Sequence, residues 1–240
     1  MNSEFLPCYD LDKIRVVTEV TGTLVNETRL RIGSGRGSAT FRDASDNPIL
    51  TRRGRPYIPG SSLKGSLRSW LESNIEVIFE EKKYQYLVDL SEKDPKSCKK
   101  ENDEMHFCIP CIIFGHKDLS GRMNIMDAEV EGNFELESYT GVSINRFFGG
   151  QQSGNLYNLD YVSPGANFRF KTIIFNVNLE KEDEEWRERV REGVLFLIRS
   201  LTQGIFVGGR KSTGAGLVKL TNLEVRAFTQ GSWKEVKISW

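Results

Sequence analysis

The chain has 240 residues, with 33 basic and 33 acidic side chains, a formal net charge of zero and 38% hydrophobic residues. That composition supports a substantial core in one large domain or two small ones and excludes a disordered chain. No apolar run approaches a membrane span, and the N-terminus lacks the charged-then-apolar pattern of a secretion signal, so a cytoplasmic protein with no membrane partner is expected.

The charges are unevenly spread. Between Arg29 and Arg68 there are nine basic residues and two acidic ones, Asp43 and Asp46. Acidic residues dominate 72–104, ten against six, and 180–192, seven against four. A neutral total built from opposed blocks points to one polyanion-facing surface, and the opposed patches suit association of copies.

Lys13–Val20 reads as a first strand and Thr28–Ile32 as a short extended piece. Residues 33–54 form a loop rich in glycine and arginine, with Arg36 between Gly35 and Gly37; its length and charge mark it as functional. Within it, Asp46-Asn-Pro-Ile-Leu50 reads as a turn running into a short strand. A helix follows from Ser62 to about Phe79. Pro59 and Gly60 break the chain, Ser61 or Ser62 can cap with its hydroxyl, and Leu63, Leu67, Trp70, Leu71, Ile75 and Ile78 form one apolar stripe. Residues 80–122 are charged and irregular. Met123–Val130 is strand-like, Ser143–Phe147 is another extended piece, and Gly149–Asn158 is a projecting loop or hairpin. Asn167–Leu179 reads as a long strand. Glu182–Leu201 is the second helix, burying Trp186, Val190, Val194, Leu197, Ile198 and Leu201. Gly204–Gly216 is a second glycine-rich loop, and Leu217–Phe228 is a closing strand. The large elements run strand, helix, strand, strand, helix, strand. The expected fold is therefore α+β with a ferredoxin-like βαββαβ core, in a single domain over residues 1–240.

Lys64 and Arg68 are four apart and share a face near the start of the first helix, beside Ser61 and Ser62. Unpaired amides, two hydroxyls and two cations make an anion site, with phosphate the obvious anion; a plain amphipathic helix with solvated bases is the alternative. The second loop, Gly208-Gly-Arg-Lys-Ser-Thr-Gly-Ala-Gly216, lets backbone approach a ligand at Gly208 and Gly209. Arg210, Lys211 and Ser212 supply charge and hydrogen bonds. It lacks the phosphate-loop pattern of nucleotide hydrolases and leads into a strand, and a simple glycine-rich turn is its alternative. Two separated basic sites suit a long phosphate backbone better than one nucleotide.

Three of the four cysteines and both histidines fall within nineteen residues. Cys98, Cys108 and Cys111 with His106 form the ligand set of a structural Zn2+, the C-x2-C knuckle supplying two thiolates. His116 and Cys8 are alternatives for the fourth position, and reduced, unliganded thiols are the alternative to a metal. Asp43 and Asp46 have two open roles: pairing with arginines, or placing a carboxylate beside a phosphodiester to hold Mg2+ or assist proton transfer. Arg146 precedes the projecting stretch, placed to reach a phosphate or stack on a base.

Taken together, I-P-G-S-S-L-K-G with a helical arginine, C-x2-C-x2-F-G, Asp127-Ala128 and the G-G-R-x-S-x-G-x-G loop resemble the RAMP superfamily of CRISPR-associated proteins. The similarity is greatest to the repeated backbone subunit of type III effector complexes, and it spans roughly Arg31 to Leu220. It implies an RRM-like protein that binds a CRISPR RNA guide and stacks with copies of itself and other subunits into a helical filament. It implies insertions at 33–56, at 80–122 for the zinc knuckle and at 147–162 for a thumb hairpin that displaces a guide nucleotide. Ser61, Ser62, Lys64, Arg68 and Gly208–Ser212 match guide-phosphate positions. In cleaving members an aspartate before a Pro-hydrophobic pair cuts the complementary target RNA with Mg2+ or another divalent cation. That match is Asp46, with Asp43 in reserve. The competing readings are a non-catalytic scaffold, with Asp46 paired to Arg42, Arg52 or Arg53, and a precursor-processing endonuclease. The second is disfavoured because both histidines lie in the zinc insertion.

Overall fold

The computed structural model describes residues 10–33, 48–78, 108–116, 119–144, 147 and 149–238. Arg36, Asp43, Asp46, Cys98, His106 and Arg146 lie outside the described residues. In chain order the elements are β1 (Val17–Asn26), β2 (Thr51–Arg52), β3 (Arg55–Ile58), α1 (Gly60–Ile78), α2 (Ile109–Phe114), β4 (Met123–Ile125), β5 (Ala128–Glu131), β6 (Leu136–Ile144), β7 (Gln151–Val162), β8 (Asn167–Phe175), α3 (Glu185–Gln203), β9 (Ile205–Phe206), β10 (Leu217–Thr229) and β11 (Ser232–Glu235).

Among the described residues nine strands form one sheet in the order β11-β10-β1-β8-β5-β3-β2, with β4 also on β8 and β9 on β10. Every pairing is antiparallel, and β6 and β7 form a separate hairpin. Strand alternation divides the sheet into two faces. In β8, Phe168, Phe170, Thr172 and Ile174 are buried while Asn167 and Arg169 are exposed. Val20 and Leu24 of β1 and Val218, Leu220 and Val225 of β10 continue the inward face. The helices cover it with Leu63, Leu67 and Leu71, with Ile109 and Ile113, and with Val190, Val194, Leu197 and Leu201. Each of these fully buried side chains contributes roughly 1.5–3 kcal/mol of hydrophobic stabilisation. Asp10 is fully buried and receives Arg187 at 2.7 Å and Arg122 at 3.0 Å, tying the start of the described chain to α3 and the approach to β4. Among the described residues no helix is long and apolar enough to cross a membrane.

Several elements differ from the sequence-based expectation. β1 starts later than expected and continues through Thr21-Gly22-Thr23, where its pairing with β10 shifts register. The residues before it are instead fixed by Asn176, whose Oδ1 accepts the Arg15 amide at 2.7 Å. The short strand expected to follow the Asp46–Leu50 turn is β2, and it turns at Arg53–Gly54 into an unexpected β3, which joins the main sheet beside β5. Part of the stretch read as irregular is α2, whose six residues are all buried. The hairpin is longer than expected, its first arm beginning at Leu136. Trp70 was expected in the buried stripe but is 41% exposed at its edge, its indole N–H donating to Ser200 Oγ at 2.9 Å.

The start of α1 is also revised. Gly60 opens the helix, so Ser61 and Ser62 lie inside the first turn and do not cap it. The Gly60 amide donates to Asp127 Oδ1 at 2.8 Å, while the Ser62 and Leu63 amides donate to the Pro59 carbonyl at 2.9 and 3.1 Å. Asp127 reaches this position because the single strand expected over Met123–Val130 is broken between β4 and β5. Its other oxygen accepts Arg52 Nη2 at 2.6 Å. The Gly60 amide, and then Arg52, hold the Asp127 carboxyl below its ordinary value of 3.8.

A carboxyl whose pKa is lowered by folding stabilises the folded chain above its unfolded pKa, and that contribution is lost as pH falls through the folded value. Asp127→Ala is expected to cost about 1 kcal/mol in urea unfolding at neutral pH. The variant should also show a shallower loss of stability than the parent on acidification below pH 3.8. Equal stability of the two proteins at neutral pH would contradict this role.

Candidate nucleic-acid interface

The segment Glu27–Gly33, between β1 and the basic loop, is an extended strap bonded on both edges. On one edge the Gly216 and Gly209 amides donate to the Arg29 and Arg31 carbonyls, each at 2.9 Å. On the other, Leu30 exchanges two bonds with Val162 of β7, at 2.9 and 2.8 Å. The Leu50 amide donates to the Ile32 carbonyl at 2.8 Å, and Gly33 bridges to Ile49. These contacts close the ends of the segment that contains Asp43 and Asp46. The two-residue period of extended backbone lets one strap hold the glycine-rich loop, the hairpin and the root of the aspartate loop together.

The glycine-rich loop is shaped to lie against the strap. Gly208 adopts φ +82°, and a side chain there would overlap the Arg31 carbonyl. Arg210 takes the left-handed conformation at φ 63°, unusual for a residue with a side chain. Its carbonyl accepts the Thr213 amide at 3.1 Å, the Thr213 hydroxyl at 2.9 Å and the Ala215 amide at 3.3 Å. Residues Lys211–Thr213 form one short 3-10 turn. Arg210, Lys211 and Ser212 are consequently exposed, while Ala215 is buried against Leu159 and Tyr161 of β7.

Arginine–tyrosine contacts line the foot of the hairpin. The Arg29 guanidinium lies 5.0 Å from the Tyr139 ring and 4.9 Å from the Tyr161 ring, and Arg210 lies 5.2 Å from the Tyr157 ring. Arg31 is buried and donates to the Asp160 carbonyl at 3.0 Å; burial holds its pKa below the usual arginine value, and Arg210 is close enough to push the same way. Sequence reasoning missed Arg29, Arg31, Tyr139, Tyr157 and Tyr161 as a group. The available signal was the alternation Tyr157, Leu159, Tyr161 on one face of a strand, hidden because Gly149–Asn158 was read as aperiodic.

On α1 the expected site is only partly assembled. Lys64 is half-buried with no ion pair among the described residues, and Ser61 is exposed. The first amide of the helix, expected to face a phosphate, is taken by the Asp127 carboxylate. Arg68 does not join Lys64 in an open anion site. Its guanidinium donates to Glu72 Oε1 at 2.8 Å, to the Gly115 carbonyl at 3.0 Å and to Cys111 Sγ at 3.5 Å, clamping α1 to the cysteine knuckle.

At the knuckle, Cys108 caps α2 and its sulfur accepts the Cys111 amide at 3.4 Å. The Cys108 thiol also donates to Cys111, which with help from Arg68 and His116 lowers the Cys111 thiol to about 6; the same bond and burial push Cys108 up. Two converging sulfurs, one of them readily ionised, suit a thiophilic divalent ion. Among the described residues no three His, Cys, Asp or Glu side chains gather as a metal site, and Cys98 and His106 are not among those residues.

Comparison with known proteins fits this arrangement. The "CRISPR system Cms endoribonuclease Csm3" of Methanocaldococcus jannaschii is 28% identical over 225 residues, covering 89% of this chain and 81% of that protein. The protein of the same name from Mycobacterium tuberculosis is 28% identical over 232 residues, covering 87% and 88%. That from Methanothermobacter thermautotrophicus is 27% identical over 242 residues, covering 86% and 84%. A family model of the RAMP superfamily matches residues 23–219, from within β1 to within β10, and so contains the strap, the hairpin, α1 and the glycine-rich loop. The chain belongs to the RAMP superfamily.

Proposed function

We propose that this chain is the backbone subunit of a type III CRISPR effector complex, an RNA-guided endoribonuclease that holds the guide and cuts complementary target RNA at regular intervals. The observation that carries this reading is the strap, which gathers a basic glycine-rich loop, a projecting hairpin and the root of an aspartate-bearing loop. The names of the relatives supply the reaction class. The strand order β10-β1-β8-β5, with α1 after β1 and α3 after β8, supports a ferredoxin-like, RRM-like core. We take residues 1–240 as one domain with insertions at about 33–56 and 80–122, and a thumb whose first arm extends the expected 147–162 back to Leu136.

In this reading Lys64, Ser61, Ser62, Arg210, Lys211, Ser212 and the amide of Gly208 take the guide phosphates, Gly209 holding the loop to the strap through its own amide, with Arg36 and Arg146 as further contacts. Phosphate contacts position the RNA, and base pairing between guide and target reads the sequence. Arg68 serves by fixing α1 to the knuckle. The partners are the guide RNA, the target RNA, other subunits and further copies of this chain stacked head to tail, in the cytoplasm.

Cleavage proceeds by in-line attack. The target 2′-oxygen bonds to the adjacent phosphorus as the bond to the 5′-oxygen breaks; Asp46, with Asp43 in reserve, orients the 2′-hydroxyl and receives its proton, and the 5′-oxygen leaves with a proton from water, giving a 2′,3′-cyclic phosphate and a 5′-hydroxyl. The same carboxylates would hold Mg2+ or another divalent cation, which would supply positive charge to the phosphate oxygens. Cys108 and Cys111, with Cys98 and His106, would hold a structural Zn2+.

In the assembled complex, Asp46→Ala is expected to slow target cutting by about 100-fold or more while leaving guide binding unchanged. Parent-like cutting by that variant would refute the assignment. Metal analysis of the purified chain should find about one zinc per chain, with Cys111→Ser losing it. A metal-free protein with freely reactive cysteines would refute the knuckle.

A further inference from the structure

We propose that Tyr157 is a positioning residue for RNA: it holds the Arg210 guanidinium at the junction of hairpin and glycine-rich loop, so that one backbone phosphate is gripped only when the hairpin is seated. This rests on the RNA-binding reading above and adds to it a coupling between two elements that sequence places fifty residues apart.

The tyrosine is built into the hairpin. It pairs directly across from Gly141 on β6, and a side chain at Gly141 would overlap the Tyr157 ring. The ring therefore covers Gly141 on the neighbouring strand, and the Arg210 guanidinium lies over the ring, 5.2 Å from its centroid. Arg210 is fixed from the other side by its own backbone, whose left-handed conformation is held by three bonds to one carbonyl.

The charge at this junction calls for an anion. Among the described residues no carboxylate forms an ion pair with Arg210; Arg31, itself near the Asp160 carboxylate, is close enough to repel it, and Lys211 next to it is exposed. A guanidinium stacked on a ring keeps its N–H donors in its own plane, open to bidentate phosphate. Tyrosine thus orients the cation without neutralising it, whereas a carboxylate would have cancelled the charge the RNA needs. Gly141 is required for the same reason, since any larger residue lifts the ring from the strand.

The test uses the full-length chain and a fluorescently labelled single-stranded RNA, with affinity measured across a salt series. Arg210→Gln should weaken binding about tenfold and reduce the salt slope by about 0.7. Tyr157→Leu should weaken it about fivefold, Tyr157→Phe should bind like the parent, and Gly141→Ala should mimic Tyr157→Leu while keeping the tyrosine. If Tyr157 acts through Arg210, the double variant Tyr157→Leu/Arg210→Gln binds no more weakly than Arg210→Gln alone. Losses that multiply, or a Phe variant as weak as Leu, overturn the proposal. An Arg210→Gln variant with parent affinity and salt slope removes the phosphate site itself. Loss in Arg210→Gln with none in Tyr157→Leu or Gly141→Ala removes only the positioning role.

Discussion

The structure depends on one shared backbone: the strap Glu27–Gly33 is bonded to the glycine-rich loop by its odd-numbered carbonyls and to β7 and Leu50 by its even-numbered groups. Leaving a buried backbone group of this kind unpaired costs roughly 1–3 kcal/mol, more than most surface contacts return, so the three elements cannot drift apart independently. Gly208 is part of the same constraint, because its missing side chain is what lets the loop reach the Arg31 carbonyl. A chain built this way joins the loop, the hairpin and the residues flanking the aspartate segment, Gly33 and Ile49, in one bonded network.

Charge is distributed to match. On the outer face of the sheet, Glu19 lies between Lys171 and Arg226, and Glu129 and Glu131 face Arg52 and Arg169. Glu19 is buried beneath its two cations, and the exposed Glu129 and Glu131 pairs are worth about 0–1 kcal/mol each; all of them are mutually neutralising and leave little field for a polyanion. At the foot of the hairpin Arg29 and Arg210 lie over tyrosine rings, while Arg31 is buried within reach of the Asp160 carboxylate. That contrast supports the proposed polyanion-facing surface at the strap and the glycine-rich loop. Asp127 shows the opposite choice: a carboxylate fills the end of α1 and anchors Arg52, giving up a phosphate position to fix the helix against the root of the aspartate loop.

Much of the fold was legible in the sequence because its signals are local. Two helices were found from the spacing of Leu63, Leu67 and Leu71 and of Val190, Val194 and Leu201, and their observed bounds fall within three residues of the expected ones. The basic glycine-rich loop and the cysteine pair were visible as motifs. The features missed depend on partners remote in sequence. Asp127 looked like one residue of a strand until its link to Gly60 placed it at a helix end. Arg68 was read as a phosphate ligand beside Lys64 by its helical spacing, yet Cys111 and Gly115, which bind it, lie more than forty residues away. The continuation of β1 through Thr21-Gly22-Thr23 was hidden because glycine signals a break locally, whereas here β10 leaves no room for a side chain.

The account is tested most directly by purifying the assembled complex, identifying the RNA that accompanies it, and adding Mg2+ with labelled RNAs either complementary to that guide or scrambled. The account predicts cuts in the complementary strand alone, at a constant spacing along the paired region. A complex that carries no RNA, or one that cuts both strands alike, would contradict it.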